Sequence, residues 1–179
     1  LAVGRFVPEK GFHDLIDAFN LFQLETLYSQ IPIDTWKLVI VGRADHEDKY
    51  SLDLKEKAGK NNNILLTGFF TGEHLQALYS HAGLFVLPSY YEGLPIVLLE
   101  AMSYGLSCIA SDIPANKSVE LFGDRFFKPG DIKTLCAKIK EFIDKPLNKE
   151  EKGKQINIIA ERYDWEKIAE KTMEVYRII

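Results

Sequence analysis

The chain has 179 residues, 46% apolar and 27% charged, with 22 Lys and Arg against 26 Asp and Glu for a net charge of −4. That length suits one domain with a real hydrophobic core, and the composition excludes collagen-like, low-complexity and disordered chains. Mild acidity excludes the broad basic surface of a nucleic-acid binder, and no apolar run approaches the roughly 18 residues of a membrane span.

Leu1 to Val3 reads as a strand closed at once by Gly4. It has no initiating Met and no signal-peptide design, so the chain is expected to open inside a strand. Phe12, Leu15, Ile16, Phe19 and Phe22 mark one face of a first helix. Lys37 to Val41 is a β-branched strand ending at Gly42, and Glu47 to Ala58 is helical. Ile64 to Thr67 is a strand ended by Gly68; Glu73 to Ala82 is a helix; Leu84 to Leu87 is a strand stopped by Pro88. Pro95 to Tyr104 is a helix with proline in its first turn. Leu106 to Ala110 is a strand, Pro114 to Leu121 a short helix, and Arg125 to Lys128 a last strand before the Pro129-Gly130 turn. Asp131 to Ile143 and Lys149 to Arg162 are helices, and a final helix starts at an Asp164 cap. Cys108 and Cys136 lie in apolar surroundings without metal-ligand spacing. They read as small buried hydrophobes of a reducing compartment.

Strands alternating with helices predict an α/β fold with a parallel sheet covered on both faces. In such sheets ligands bind outside the carboxyl ends of the strands. The loops to inspect are therefore Gly4–Gly11, Gly42–Glu47, Gly68–Glu73, Pro88–Pro95 and Asp112–Asn116.

The first of these sets Arg5 and Lys10 between two glycines, ahead of a helix start. A guanidinium fork and an ammonium suit phosphate oxygens, and the helix N-terminus adds free N–H groups. Alone, the loop reads equally as a turn with two solvated cations. The fourth loop, Ser89-Tyr90-Tyr91-Glu92-Gly93-Leu94-Pro95, opens an apolar helix. Gly93 permits close backbone approach there. Glu100 follows within Ile-Val-Leu-Leu-Glu-Ala-Met, where burying it is expensive unless it is paired or hydrogen-bonded. A sugar cis-diol satisfies a carboxylate by donating two hydroxyls; a backbone amide or a basic partner satisfies it equally. The chain has no G-x-G-x-x-G, no G-x-x-x-x-G-K-[ST] and no G-x-S-x-G. Asp45-His46-Glu47-Asp48 reads as a solvated helix start rather than a metal cluster. His13, His74 and His81 read as packing or surface residues on helices.

Gly4-Arg5 with Lys10-Gly11, then Lys37–Gly42, Gly68, Leu87-Pro88-Ser89, and Glu92-Gly93 leading to Glu100-Ala101-Met102 resemble one half of the GT-B glycosyltransferases. The pattern is most similar to glycosyltransferase family 4, the retaining nucleotide-sugar enzymes, over essentially the whole chain. The resemblance implies a three-layer Rossmann-like parallel sheet of about six strands flanked by helices. It makes residues 1–179 a single nucleotide-sugar-binding domain, with an N-terminal acceptor domain outside this chain. Arg5 and Lys10 would bind the donor diphosphate, and Glu92 would contact the transferred sugar. Gly4, Gly93, Leu94, Pro95 and Ile96 would cradle phosphate and sugar; Glu100 would hold the ribose; Gly68, Phe69 and Phe70 would lie near the base. Glu120 matches a less specific family acid and takes no role. Two departures stand out: Arg43-Ala44-Asp45 replaces a glycine-containing turn, which makes Arg43 a candidate extra phosphate contact, and Asp112–Asn116 replaces a glycine-rich one.

The implied activity is metal-independent transfer of a hexose from a UDP- or GDP-sugar to a glycan, lipid or other hydroxyl acceptor. It belongs to polysaccharide biosynthesis and is expected on the cytoplasmic side, in solution or peripheral to a membrane. The donor is a substrate, and no separate cofactor is implied. The expected partners are the donor and the acceptor domain, without nucleic acid. The alternatives are a non-catalytic nucleotide-sugar-binding module and a GT-B-like epimerase or phosphorylase.

Overall fold

A computed structural model describes residues 1–26 and 36–178. Strands β1 (Ala2–Val3), β2 (Leu38–Val41) and β3 (Ile64–Leu66) form one parallel sheet. Strands β4 (Phe85–Leu87), β5 (Cys108–Ser111) and β6 (Phe126–Phe127) form a second. Leu1 stitches them together: its amino group donates to the Leu84 carbonyl at 2.8 Å, and its carbonyl accepts from the Val86 N–H at 2.9 Å. The resulting order is β3-β2-β1-β4-β5-β6, all parallel, with the order of strand addition reversing between β1 and β4. That reversal is the topological switch point where α/β sheets bind ligands.

Helices α1 (Phe12–Thr26), α2 (Lys49–Gly59), α3 (Gly72–His81), α4 (Ile96–Ser103), α5 (Pro114–Lys117), α6 (Ile132–Asp144), α7 (Lys149–Arg162) and α8 (Trp165–Ile178) complete the described chain. Successive strand residues point to opposite faces, and each face has its own core. Ala2, Ile40, Val86 and Ile109 pack with Phe12, Leu15, Ile16, Phe19 and Phe22 of α1 and Leu135, Ile139 and Phe142 of α6. Val3, Val41, Phe85, Leu87, Cys108 and Ala110 pack with Tyr79, Leu98, Met102 and Ile159. The expected three-layer α/β fold is therefore present, and the central strands are covered on both sides, whereas edge strand β3 leaves Leu65 exposed.

The predicted elements all appear, with shifted ends. β5 starts at Cys108 rather than Leu106, because Gly105 at φ +66 turns the chain and Leu106 N–H bonds back to Ala101 O. α5 stops at Lys117 rather than Leu121, where Val119 turns inward and is buried. Both cysteines are buried thiols, and burial pushes Cys136 up to about 11. A buried cation, Arg125, was not anticipated. It donates to Phe122 O, Ser107 Oγ and Cys108 O and lies 4.0 Å from the Phe142 ring centroid, which anchors β6 to β5 and α6. On α8, Met173, Val175 and Tyr176 remain exposed. No helix among the described residues is long and apolar enough to cross a membrane.

Candidate functional site

The loops after β1 and β4 meet at the switch point and are laced together. After β1 the chain makes a single 3-10 turn at Pro8–Lys10 and enters α1 through Gly11 at φ +65. A Cβ on Gly11 would lie 2.2 Å from the Pro88 carbonyl oxygen, so only glycine lets the two loops come this close. Tyr90 N–H donates to Glu9 O at 2.8 Å, and the Tyr90 hydroxyl donates to Asp14 Oδ2 at 2.7 Å.

This lacing brings Lys10 to Glu92. Lys10 Nζ donates to Glu92 Oε1 at 2.7 Å, with side-chain exposures of only 18% and 8%. Ser89, fully buried, donates its hydroxyl to the same oxygen at 2.7 Å. Both bonds converge on Oε1, and no described group bonds Oε2. Behind Ser89 a buried relay continues: Ser111 Oγ donates to Ser89 O, and Asn116 Nδ2 donates to Ser111 O and Oγ at 3.0 and 2.9 Å. Glu92 is thus fixed from the end of β5 as well as from the first loop.

Arg5 is held differently. It pairs with Asp45 at 3.0 Å, and both side chains are more than 60% exposed. Exposed pairs are weak, so Arg5 is free to exchange Asp45 for a ligand. Two cavities open beside it. One, about 450 Å³, is lined by Arg5, Lys10, Tyr91, Glu92 and Gly93. The other, about 440 Å³, is lined by Gly4, Arg5, Arg43, Phe69, Phe70 and Glu100. Arg5 and its loop form the wall between them.

Most of the sequence-predicted residues fall on these walls. Gly93 has no positive φ, and a Cβ there would meet no protein atom, so neither backbone strain nor packing demands glycine. No described acceptor takes the N–H of Gly93 or Leu94. Gly68, at φ +77, makes a turn whose carbonyl accepts from Gly42 N–H at 2.8 Å. Leu94 and Ile96 are exposed and Pro95 is buried, and none of the three lines either cavity. Phe69 is 61% exposed, with the Arg43 guanidinium 5.2 Å from its ring centroid. Arg43 therefore lines the second cavity rather than the one holding Lys10 and Glu92.

Three readings need revision or detail. Glu100 is exposed, because α4 turns Leu98, Leu99, Ala101 and Met102 inward and Glu100 outward. It has a partner nonetheless: the hydroxyl of buried Tyr79 donates to Glu100 Oε2 at 2.9 Å. The acidic run divides its roles, with Asp45 pairing with Arg5 and Asp48 capping α2 through Ser51. Glu120 pairs with Arg162 at 2.8 Å on the surface. Tyr79, Ser111 and Asn116 carried no local signal, since each acts on a residue of another element.

A further apolar cavity of about 290 Å³ lies at the opposite edge of the sheet, among Leu15, Phe19, Trp36, Leu84 and Ile139. Its walls are mostly apolar, and Lys37 and His81 are the only ionisable side chains among its described lining residues.

Fold and site together define an α/β domain whose switch-point loops gather Arg5, Lys10, Glu92 and Glu100 around two adjoining cavities. Compared with known proteins, residues 1–162 match the family described as Glycosyl transferases group 1, and the chain belongs to that family. It is 26% identical over 179 residues to O-antigen chain mannosyltransferase B of Escherichia coli, covering all of this chain and 45% of that protein. It is 29% identical over 179 residues to a glycogen synthase of Mycobacterium tuberculosis, covering 98% of this chain and 41% of that one. Among solved structures, Anabaena HepE in complex with UDP-glucose superposes with a TM-score of 0.81 at 24% identity, covering 99% of this chain and 49% of that one. That likeness is one of fold, and the architecture is that of one half of a GT-B glycosyltransferase. The chain spans under half the length of these curated relatives.

Proposed function

We propose that residues 1–179 form the donor-binding domain of a retaining, metal-independent glycosyltransferase. The enzyme would move a hexose from a UDP- or GDP-sugar to a hydroxyl acceptor. One observation carries this reading: two adjoining cavities at the switch point share Arg5, one holding Lys10 and Glu92 and the other Phe69 and Glu100. A nucleotide sugar has the matching order of parts. Its sugar would meet Glu92 and the Gly93 amide, its diphosphate Arg5 and Lys10, its ribose Glu100, and its base Phe69 and Phe70. The names of the relatives support a nucleotide-sugar donor, since one structure holds UDP-glucose and another relative is a mannosyltransferase. Retention at the anomeric carbon follows from the resemblance to family 4.

The chemistry suits these residues. The bond from the anomeric carbon to the phosphate oxygen breaks, and its electron pair leaves with the diphosphate. Preorganised cations and amides that meet this growing charge lower the barrier. Arg5 and Lys10 supply that positive charge, which is why the reading asks for no metal ion. The acceptor oxygen bonds the anomeric carbon, and its proton passes to a departing phosphate oxygen.

Calorimetry with uridine and guanosine diphosphates tests the assignment. A charge-assisted hydrogen bond contributes roughly 1.5–3 kcal/mol, so Lys10→Ala is expected to weaken binding at least about tenfold. Arg5→Ala is expected to weaken it with little change in melting temperature, because its Asp45 partner is exposed. Unchanged affinity in both variants removes the assignment.

A further inference from the structure

Glu100 stands on the outward face of α4, where a glutamate side chain ordinarily samples several rotamers. Here one of its oxygens is tied down from below. Tyr79 comes from α3, is 3% exposed, and donates its hydroxyl to Glu100 Oε2 at 2.9 Å. The ring cannot easily move. It stacks on Tyr104 with centroids 5.4 Å apart and 23° between planes, and leans on Phe85 at 6.0 Å. Glu100 Oε1 has no described partner, and the residue lines the cavity of Phe69, Phe70 and Arg5.

We propose that Tyr79 is a positioning residue for ribose recognition: its buried hydroxyl holds the Glu100 carboxylate in the orientation that accepts ribose hydroxyls, without itself touching the ligand. The inference rests on the reading of Glu100 as the ribose acceptor and deepens it. The bond requires a neutral phenol as donor, and Tyr79 meets that requirement. Burial, reinforced by the adjacent carboxylate, pushes its ionisation well above the ordinary tyrosine range. A phenol whose only hydrogen bond among the described residues goes to a solvent-facing carboxylate does little for the core, which Phe would fill as well. Its use lies in the carboxylate it fixes.

Calorimetry compares uridine and guanosine diphosphates with their 2′-deoxy counterparts, and the quantity read is the ribo-to-deoxy affinity ratio. Tyr79→Phe keeps the ring and both its aromatic contacts. It is expected to lower that ratio roughly 3- to 10-fold, the scale of one lost hydrogen bond, with a smaller loss for the deoxy ligands, which keep only the 3′-hydroxyl for Glu100 to accept. Tyr104→Phe keeps the stack and is expected to leave the ratio unchanged. In a Glu100→Ala background, Tyr79→Phe is expected to change the ratio no further. A melting curve on each sample confirms that the chains compared are folded. If Tyr79→Phe keeps the parent ratio while Glu100→Gln collapses it, the positioning role is overturned and the ribose reading stands. If Glu100→Gln leaves the ratio unchanged as well, both are overturned.

Discussion

At the scale of single residues, Gly11 decides whether the site assembles. It turns the chain from Lys10 into α1 in the left-handed region, and its missing Cβ makes room for the Pro88 carbonyl. Gly11→Ala meets both obstacles. The left-handed conformation costs a non-glycine residue roughly 1–2 kcal/mol, and the 2.2 Å contact forces the two loops apart. The variant is expected to unfold at lower denaturant concentration and to bind nucleoside diphosphates more weakly, since Lys10 is its neighbour. Equilibrium unfolding and calorimetry on the same preparation check both, and a variant that melts and binds like the parent refutes the account. The two loops were legible in the sequence as places to inspect, because cations and glycines stand beside a helix start, although the first read equally as a turn with two solvated cations. The pairing of Lys10 with Glu92 was not, since 82 residues separate them and only strand order brings them together. Whether Glu100 is buried was not legible for a similar reason. Its apolar neighbours in sequence belong to the other face of the helix.

At the scale of elements, the helix starts were the most readable features, because the caps are local. Asp48 and Ser51 close a capping box on α2, Asp131 caps α6 through Thr134, and Asn148 and Glu151 close a second box on α7. Strand order was unreadable, because short buried strands carry no mark of their neighbours. The same caps make the fold acid-sensitive in a defined window. Hydrogen bonds from the Ser51 amide to Asp48, and from the Thr134 amide to Asp131, hold both carboxyls below the usual aspartate value. A depressed pKa means the folded state binds fewer protons than the unfolded one in that window. The stabilisation is therefore complete above the unfolded aspartate pKa of about 3.9 and is lost as pH falls through the lower folded values. Melting temperature is expected to carry the full contribution of these caps, without pH dependence from them, near neutrality and to fall below about pH 4. Asp48→Asn with Asp131→Asn keeps capping side chains that do not titrate, so the double variant is expected to lose less on acidification. An identical acid profile assigns the loss to other groups.

At the scale of the molecule, the site lies along one edge of the sheet and is open on the side away from it. Arg5, Phe69, Tyr91 and Leu94 are all exposed around that edge. Nothing in the described residues covers the proposed sugar position or offers a second hydroxyl-binding surface facing Glu92. Relatives of more than twice this length match the chain over only 41–45% of their own residues. We infer that the acceptor-binding half lies in a second domain facing this edge, and that chemistry needs both. The two halves of the task then separate. On the proposed function, donor binding would depend on contacts within these 179 residues, whereas transfer would need an acceptor oxygen placed near the anomeric carbon and water kept out, which supplies much of an enzyme's advantage. The chain alone is expected to bind nucleoside diphosphates by calorimetry and to transfer no radiolabelled sugar from UDP- or GDP-sugars to added glycan acceptors. A longer protein carrying this domain is expected to do both, with transfer lost in Lys10→Ala. Transfer at comparable rates by the 179-residue chain would show that the acceptor site is already contained in it and would overturn the two-domain reading.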